Sequence, residues 1–151
     1  MEKSEINKFE EEFRFLSNFY PCEVKFRGYI FPSTENAYQF AKIPYNLRNT
    51  YVDLFINCPP NIAKKNGRSV KIRNNWENIK VKIMFALLTK KFKNPVLRKK
   101  LLDTGNAILI EGNYWNDTFW GVCNNVGKNM LGKLLMKVRK EINDEIKMVW
   151  E

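Results

Sequence analysis

Val24 and Phe26 alternate with polar residues, Arg27 and Gly28 supply a turn, and Tyr29, Ile30 and Phe31 follow; the pattern predicts a short hairpin. Pro32, Ser33 and Thr34 then offer a stop and an N-cap. Glu35 falls in the first helical turn, where a negative charge suits the helix dipole. A helix is predicted from about Thr34 to Ile43, ended by Pro44, and a second across Asn46 to Phe55. The segment NCPPNIAKKNGR (Asn57 to Arg68) reads as a short capped helix, with prolines at its start and Gly67 just past its end. The clearest periodicity runs from about Asn74 to Phe92, where Ile79, Ile83 and Leu87, with Val81, Met84 and Leu88 beside them, recur at three- and four-residue intervals. Pro95 opens another short helix through Leu102, closed near Gly105. Ala107 to Gly112 (AILIEG) reads as a strand, and Gly112 to Asn129 as a loop rich in Gly, Asn and Trp. The last helix begins near Asn129 or Met130 and carries a stripe of Leu131, Leu134, Leu135, Val138 and Ile142. Many helices with a few short strands predict an α+β fold in a single helix-rich domain.

Composition narrows the chemistry. A chain of 151 residues with 44% hydrophobic and 14% aromatic content is one ordinary folded domain. It contains no histidine, so Ser-His-Asp and Cys-His nucleophile systems and the zinc-protease helix motif are excluded. Cys22, Cys58 and Cys123 lie far apart with no Cys-x-x-Cys pair, which argues against structural zinc and suggests reduced thiols in a cytoplasmic setting. Residues Met1 to Glu12 are charged and mixed, no apolar run approaches the roughly 18 residues of a membrane span, and no metal or cofactor is expected. Catalysis must then rest on carboxylates, lysine, tyrosine, a lone cysteine or a carboxylate-bound metal. Cys123 lacks a neutral base beside it and reads as a buried structural residue.

The formal net charge of +10 suits a polyanionic partner such as nucleic acid or nucleotide phosphates. The same excess of Lys with Asn and Ile also fits a background composition bias. Three groups of residues carry candidate chemistry. Glu35, Tyr38, Gln39 and Lys42 stand at relative positions zero, three, four and seven, on one helical face. That row is either a site or a solvated face. In EGNYWNDTFWG, Trp115 and Trp120 flank Asp117; they suit a nucleobase or ribose pocket, or a core plug and a turn. Arg68, Lys71 and Arg73, with Arg14 near the start, form a basic set able to hold phosphate, or an ordinary surface. GKN before the last helix (Gly127 to Asn129) lacks the P-loop form, so a nucleoside triphosphatase is disfavoured.

Three segments in order, FLSNFYPCEVKFRGYIFPSTENAYQFAK, GRSVKIRNNW and EGNYWNDTFWGVCNNVGKNMLGKLLMKVR, resemble the YbiA-like family, also called NADAR domains. The resemblance spans about residues 13–139 of a single domain over 1–151, with 140–151 as a C-terminal helical extension. It implies a helix-rich α+β N-glycosidase fold. Family activities include cleaving ribosylamino-pyrimidine phosphates of riboflavin synthesis and removing ADP-ribose from modified guanine in nucleic acid. By motif position, Glu35 resembles the essential carboxylate, Lys42 is the candidate imine-forming amine, and Trp76 and Asp117 fall on active-site motifs. Asn18, Tyr38, Gln39, Trp115, Trp120 and Gly121 fall within the same motifs as substrate-binding candidates, with Arg14, Arg68 and Arg73 for phosphate. Asn75 departs from the acidic residue that many relatives carry before the tryptophan. The expectation is hydrolysis of an exocyclic N-ribosyl bond. The substrate expected is ADP-ribosylated guanine in DNA or RNA, or else a phosphorylated ribosylamino-pyrimidine. A non-catalytic ADP-ribose binder and a plain nucleic-acid module are the rivals.

Overall fold

The computed structural model describes residues 4–150. In chain order it contains β1 (Glu5–Ile6), a 3₁₀ helix (Glu11–Leu16), β2 (Pro21–Phe26), β3 (Tyr29–Ser33), α1 (Thr34–Ala41), a 3₁₀ turn (Tyr45–Leu47), α2 (Arg48–Tyr51), α3 (Asp53–Ile56), α4 (Pro60–Gly67), α5 (Trp76–Lys91), α6 (Pro95–Asp103), β4 (Ile108–Leu109), β5 (Gly112–Asn113), β6 (Val122–Cys123) and α7 (Met130–Trp150). The fold is α+β, helix-rich, with three two-stranded sheets among the described residues. It divides into two compact units: Asn18–Lys91, and the chain up to Ser17 together with the chain from Phe92 onward.

In the Asn18–Lys91 unit, β2 and β3 form the predicted antiparallel hairpin, with Phe26 opposite Tyr29. Its two-residue turn has positive φ at both Arg27 (51°) and Gly28 (85°), the geometry that matches the right-handed twist of the strands. Ser33 caps α1 by accepting the Asn36 N–H at 3.1 Å. Every residue of α1 is buried, because β3, α3, α4 and α5 all pack on it. Phe31, Phe40 and Phe55 form the apolar side of that packing, with ring centroids 5.0 Å and 6.2 Å apart in succession. Asn36 Nδ2 donates to the carbonyls of Phe55 (2.8 Å) and Cys58 (2.9 Å), tying α1 to α3 and to the chain just after it.

Two expectations are corrected in this unit. The helix predicted across Asn46 to Phe55 is broken into the 3₁₀ turn, α2 and α3. The segment holds Asn46, Asn49, Thr50 and Val52, which are weak helix formers, and the Asn49 side chain bonds the Tyr29 hydroxyl instead of leaving the helix undisturbed. Gly67 does not lie past the end of α4 but is its last residue, and it is buried. A Cβ there would stand 1.9 Å from Gln39 Oε1, so the glycine permits close approach of α4 to α1, and Arg68 takes the cap position.

In the other unit, β1 and β4 pair in parallel, and α7 buries Leu131, Leu134, Leu135, Val138 and Ile142, the stripe predicted from spacing. Arg139, on the same helix, is also buried and donates to Thr104 Oγ1 and the Ala107 carbonyl, both at 2.8 Å. The predicted strand over Ala107 to Gly112 is reduced to Ile108–Leu109. An asparagine side chain takes over from a strand partner there: Asn129 Nδ2 donates to the Leu109 carbonyl (2.9 Å) and its Oδ1 accepts the Glu111 N–H (3.0 Å). The expected loop from Gly112 to Asn129 contains β5 and β6, paired in parallel. No helix among the described residues is long and apolar enough to cross a membrane.

Candidate active site

The polar row of α1 is not a solvated face. Glu35 is 7% exposed and Gln39 4% exposed, Tyr38 is buried, and Lys42, the C-cap residue, is half-buried. Gln39 Nε2 donates to Glu35 Oε1 at 2.8 Å, a charge-assisted bond across one helical turn. The Glu35 N–H donates to the Asn18 carbonyl at 3.0 Å, and Asn18 Nδ2 lies 3.6 Å from Met84 Sδ. Asn18 Oδ1 and Gln39 Oε1 are buried acceptors without a hydrogen-bond partner among the described residues, a costly state that a donor from a bound molecule can relieve.

Tyr38 and Trp76 pack with ring centroids 5.2 Å apart, and Lys42 Nζ lies 5.6 Å from the Tyr38 centroid. Burial pushes the Lys42 amine below the ordinary lysine value; the Glu35 carboxylate opposes that shift, while Arg68, Lys64 and Lys80 reinforce it. The Arg73 N–H donates to the Lys42 carbonyl at 2.8 Å, and Arg73 Nε donates to Asn75 Oδ1 at 3.0 Å. Asn75 is thus a neutral acceptor for Arg73. Thus seven of the residues singled out from sequence are on or against α1: Glu35, Tyr38, Gln39 and Lys42 along it, Asn18 at its first turn, Trp76 against Tyr38 and Arg73 at its C-cap. Arg68 is exposed but close enough to act on the Lys42 charge.

The remaining candidates belong to the other unit. Asp117 Oδ1 accepts the N–H groups of Phe119 (3.2 Å) and Trp120 (2.9 Å), the cap of a tight turn. Asn113 closes the loop on both sides, its Oδ1 accepting the Asp117 N–H (3.1 Å) and its Nδ2 donating to the Asp117 carbonyl (2.9 Å). Between them Trp115 is half exposed, and Trp120 meets Phe119 edge to face at 4.9 Å. Gly121 leaves no room for a side chain, since a Cβ would stand 1.8 Å from Glu111 Oε2 and 2.2 Å from the Glu111 carbonyl. Arg14 is exposed on the 3₁₀ helix. Glu111 and Asn113 escaped the sequence reading; Asn113 Nδ2 lies 3.2 Å from Glu111 Oε2, and the glycine after Glu111 was the one available signal.

The match to the NADAR domain model extends over residues 6–143. An N-glycosidase of Nostoc punctiforme is 34% identical over 134 residues, covering 85% of this chain and 85% of its own. A riboflavin biosynthesis protein of Vibrio vulnificus is 31% identical over 145 residues; these are 89% of this chain but 37% of that longer protein. The NMR structure of Escherichia coli YbiA superimposes with a TM-score of 0.82 at 33% identity, covering 96% of this chain and 88% of that one. With sequence and fold agreeing over nearly its whole length, the chain belongs to the NADAR domain family, as a YbiA-like N-glycosidase.

Proposed function

We propose that this N-glycosidase hydrolyses an exocyclic N-ribosyl bond and that its substrate is ADP-ribosylated guanine in nucleic acid. The exocyclic nitrogen pushes its lone pair toward the anomeric carbon, the bond to the ring oxygen breaks, and that oxygen takes the nitrogen's own proton, relayed by the Glu35 carboxylate. The resulting imine carbon is attacked by the neutral Lys42 amine. The base leaves with its own nitrogen as an amine, and the sugar is held as a lysine imine. Water adds to that imine, the lysine amine departs, and the open-chain sugar closes.

The observation that carries this reading is the amine of Lys42, half-buried and held below its ordinary pKa within reach of the Glu35 charge. A desolvated lysine supplies the neutral nucleophile that a chain without histidine otherwise lacks. The net charge of +10 favours a diphosphate on a nucleic acid over a small monophosphate. Incubation with DNA carrying ADP-ribosylated guanine is expected to release ADP-ribose, and Glu35→Gln to abolish release. Borohydride is expected to trap a sugar on the wild type but not on Lys42→Ala; an undiminished adduct in that variant rejects Lys42 as the amine.

A second reading rests on the Vibrio vulnificus relative, named for riboflavin biosynthesis. It makes a ribosylamino-pyrimidine phosphate the substrate through the same chemistry. Faster turnover of that small molecule than of the modified DNA decides for it.

A further inference from the structure

A second cluster in the Asn18–Lys91 unit lies outside the row of α1. Arg27, in the hairpin turn, donates from Nη1 to the Ile43 carbonyl at 3.0 Å, which fixes its guanidinium beside the C-terminal end of α1. Its guanidinium carbon is 5.0 Å from the Phe26 ring centroid and 5.7 Å from that of Tyr45. Arg48 lies over the same Tyr45 ring at 3.8 Å and donates from Nη1 to the Tyr45 carbonyl at 2.9 Å. Lys90 Nζ is 5.7 Å from the Phe26 ring, held by the Lys25 carbonyl at 2.7 Å. Tyr45 itself is 59% exposed.

None of Arg27, Arg48 and Arg73 takes part in an ion pair among the described residues. The cations instead crowd one another: Arg73 and Arg48 add to burial in pushing Arg27 below the usual arginine value. Like charges held together by backbone carbonyls, with no carboxylate between them, are costly until an anion arrives. An exposed aromatic ring stacked by guanidinium groups supplies the other half of a single-strand platform, since every base has a face to stack. The location ties this platform to the reaction. Arg27 grips Ile43, next to Lys42, and Arg73 is bonded to Lys42 itself.

We propose that Arg27, Tyr45 and Arg48 form the docking surface for the nucleic-acid strand flanking the modified base, the two arginines on phosphodiesters and the tyrosine under an unpaired base. The assignment rests on the function proposed above, and it deepens it by naming how a strand, as opposed to a free nucleotide, is recognised.

The test compares two substrates carrying the same ADP-ribosylated guanine: the free nucleoside and a short single-stranded DNA. A separate measurement follows binding of unmodified oligothymidylate by anisotropy across a salt series. For Arg48→Gln and Arg27→Gln, KM for the oligonucleotide is expected to rise on the order of tenfold to a hundredfold, as for loss of charged hydrogen bonds. Turnover of the nucleoside stays at the wild-type level. The double variant should flatten the logarithmic salt dependence of oligothymidylate binding by about 1.4, two phosphate contacts at about 0.7 each. Tyr45→Leu, which keeps the charges, should lower affinity without changing that slope. Unchanged oligonucleotide KM and slope in both arginine variants overturn the proposal. So does an equal loss on the free nucleoside, which would make the cluster a site for the substrate's own diphosphate. If neither substrate is turned over by the wild type, the proposed activity fails, while the salt slope still decides whether the strand docks here.

Discussion

Lys91 is the most buried charge in the Asn18–Lys91 unit, at 1% exposure, and burial lowers its amine from 10.5 to about 8, with the Cys22 charge opposing. Its Nζ lies 5.9 Å from the Tyr20 ring centroid. Below pH 8 both the folded and unfolded forms carry the proton, and the folded form bears the full cost of burying it. Between about pH 8 and 10.5 the unfolded chain holds one more proton than the folded one, so stability rises with pH. A difference of about 2.5 units at about 1.36 kcal/mol each makes this gain about 3 kcal/mol. Lys91→Met keeps the stem and removes the ammonium. Urea unfolding of both proteins at half-unit intervals from pH 7 to 10.5 measures the effect. The free energy of the wild type is expected to climb relative to Lys91→Met by about 3 kcal/mol over that range. The Cys22 thiol is raised by its own burial and lowered by the Lys91 charge, so the same pair compared on a Cys22→Ala background isolates the lysine. Parallel pH curves for the two proteins would refute the buried, partly neutral lysine.

Three further outcomes test the site. With Lys42 held below its ordinary pKa, the attacking neutral amine accumulates as pH rises; kcat/KM should increase with pH and level off below 10.5, and a flat profile from pH 6 to 9 removes the amine from the rate-limiting chemistry. Gln39→Leu takes away the 2.8 Å bond to Glu35, so kcat should fall about tenfold to a hundredfold with the melting temperature within a few degrees of wild type; a large fall in melting temperature with kcat of the folded protein unchanged assigns Gln39 to folding alone. Asp117→Asn keeps an Oδ1 to accept from Phe119 and Trp120, so the melting temperature should stay within a few degrees, whereas Asp117→Ala, which removes that acceptor, should lower it; wild-type turnover in Asp117→Asn would leave Asp117 a turn residue.

The legible parts of this chain are those where one element's own spacing decides its burial. On α7 the stripe from Leu131 to Ile142 faces the core as written, and the Arg27-Gly28 dipeptide specifies a tight turn that needs positive φ twice. The candidate site is legible as residue identities and hidden as environment. Glu35, Tyr38, Gln39 and Lys42 read equally well as a solvated face, because nothing within eight residues announces that β3, α3, α4 and α5 will enclose the helix. Gly67 and Asn129 mislead for a related reason. One looks like a helix stop and serves as clearance for Gln39; the other looks like a loop residue and completes the backbone hydrogen bonding at Leu109 and Glu111. Long-range partners assigned both roles. Arg27 passed as a turn residue, since the carbonyl and rings that hold it come from Ile43 and Tyr45.

The cationic bias of the chain acts twice, and in opposite directions, on one helix end. At long range, +10 draws anions in. At short range, Arg68, Lys64 and Lys80 make it harder for Lys42 to hold its proton, and burial does the larger share of that work. Glu35 alone among these neighbours resists, and it is itself engaged by Gln39, which shares its negative charge. Converting Glu35 to glutamine therefore changes two quantities at once: it removes the acid and releases the amine to a still lower pKa. Borohydride trapping with free ADP-ribose, whose open-chain aldehyde needs no bond cleavage by the enzyme, separates them. A Glu35→Gln enzyme that turns over no substrate yet still exposes a reactive amine at neutral pH would assign the carboxylate to proton transfer, whereas lost amine reactivity would assign it to holding Lys42 in place.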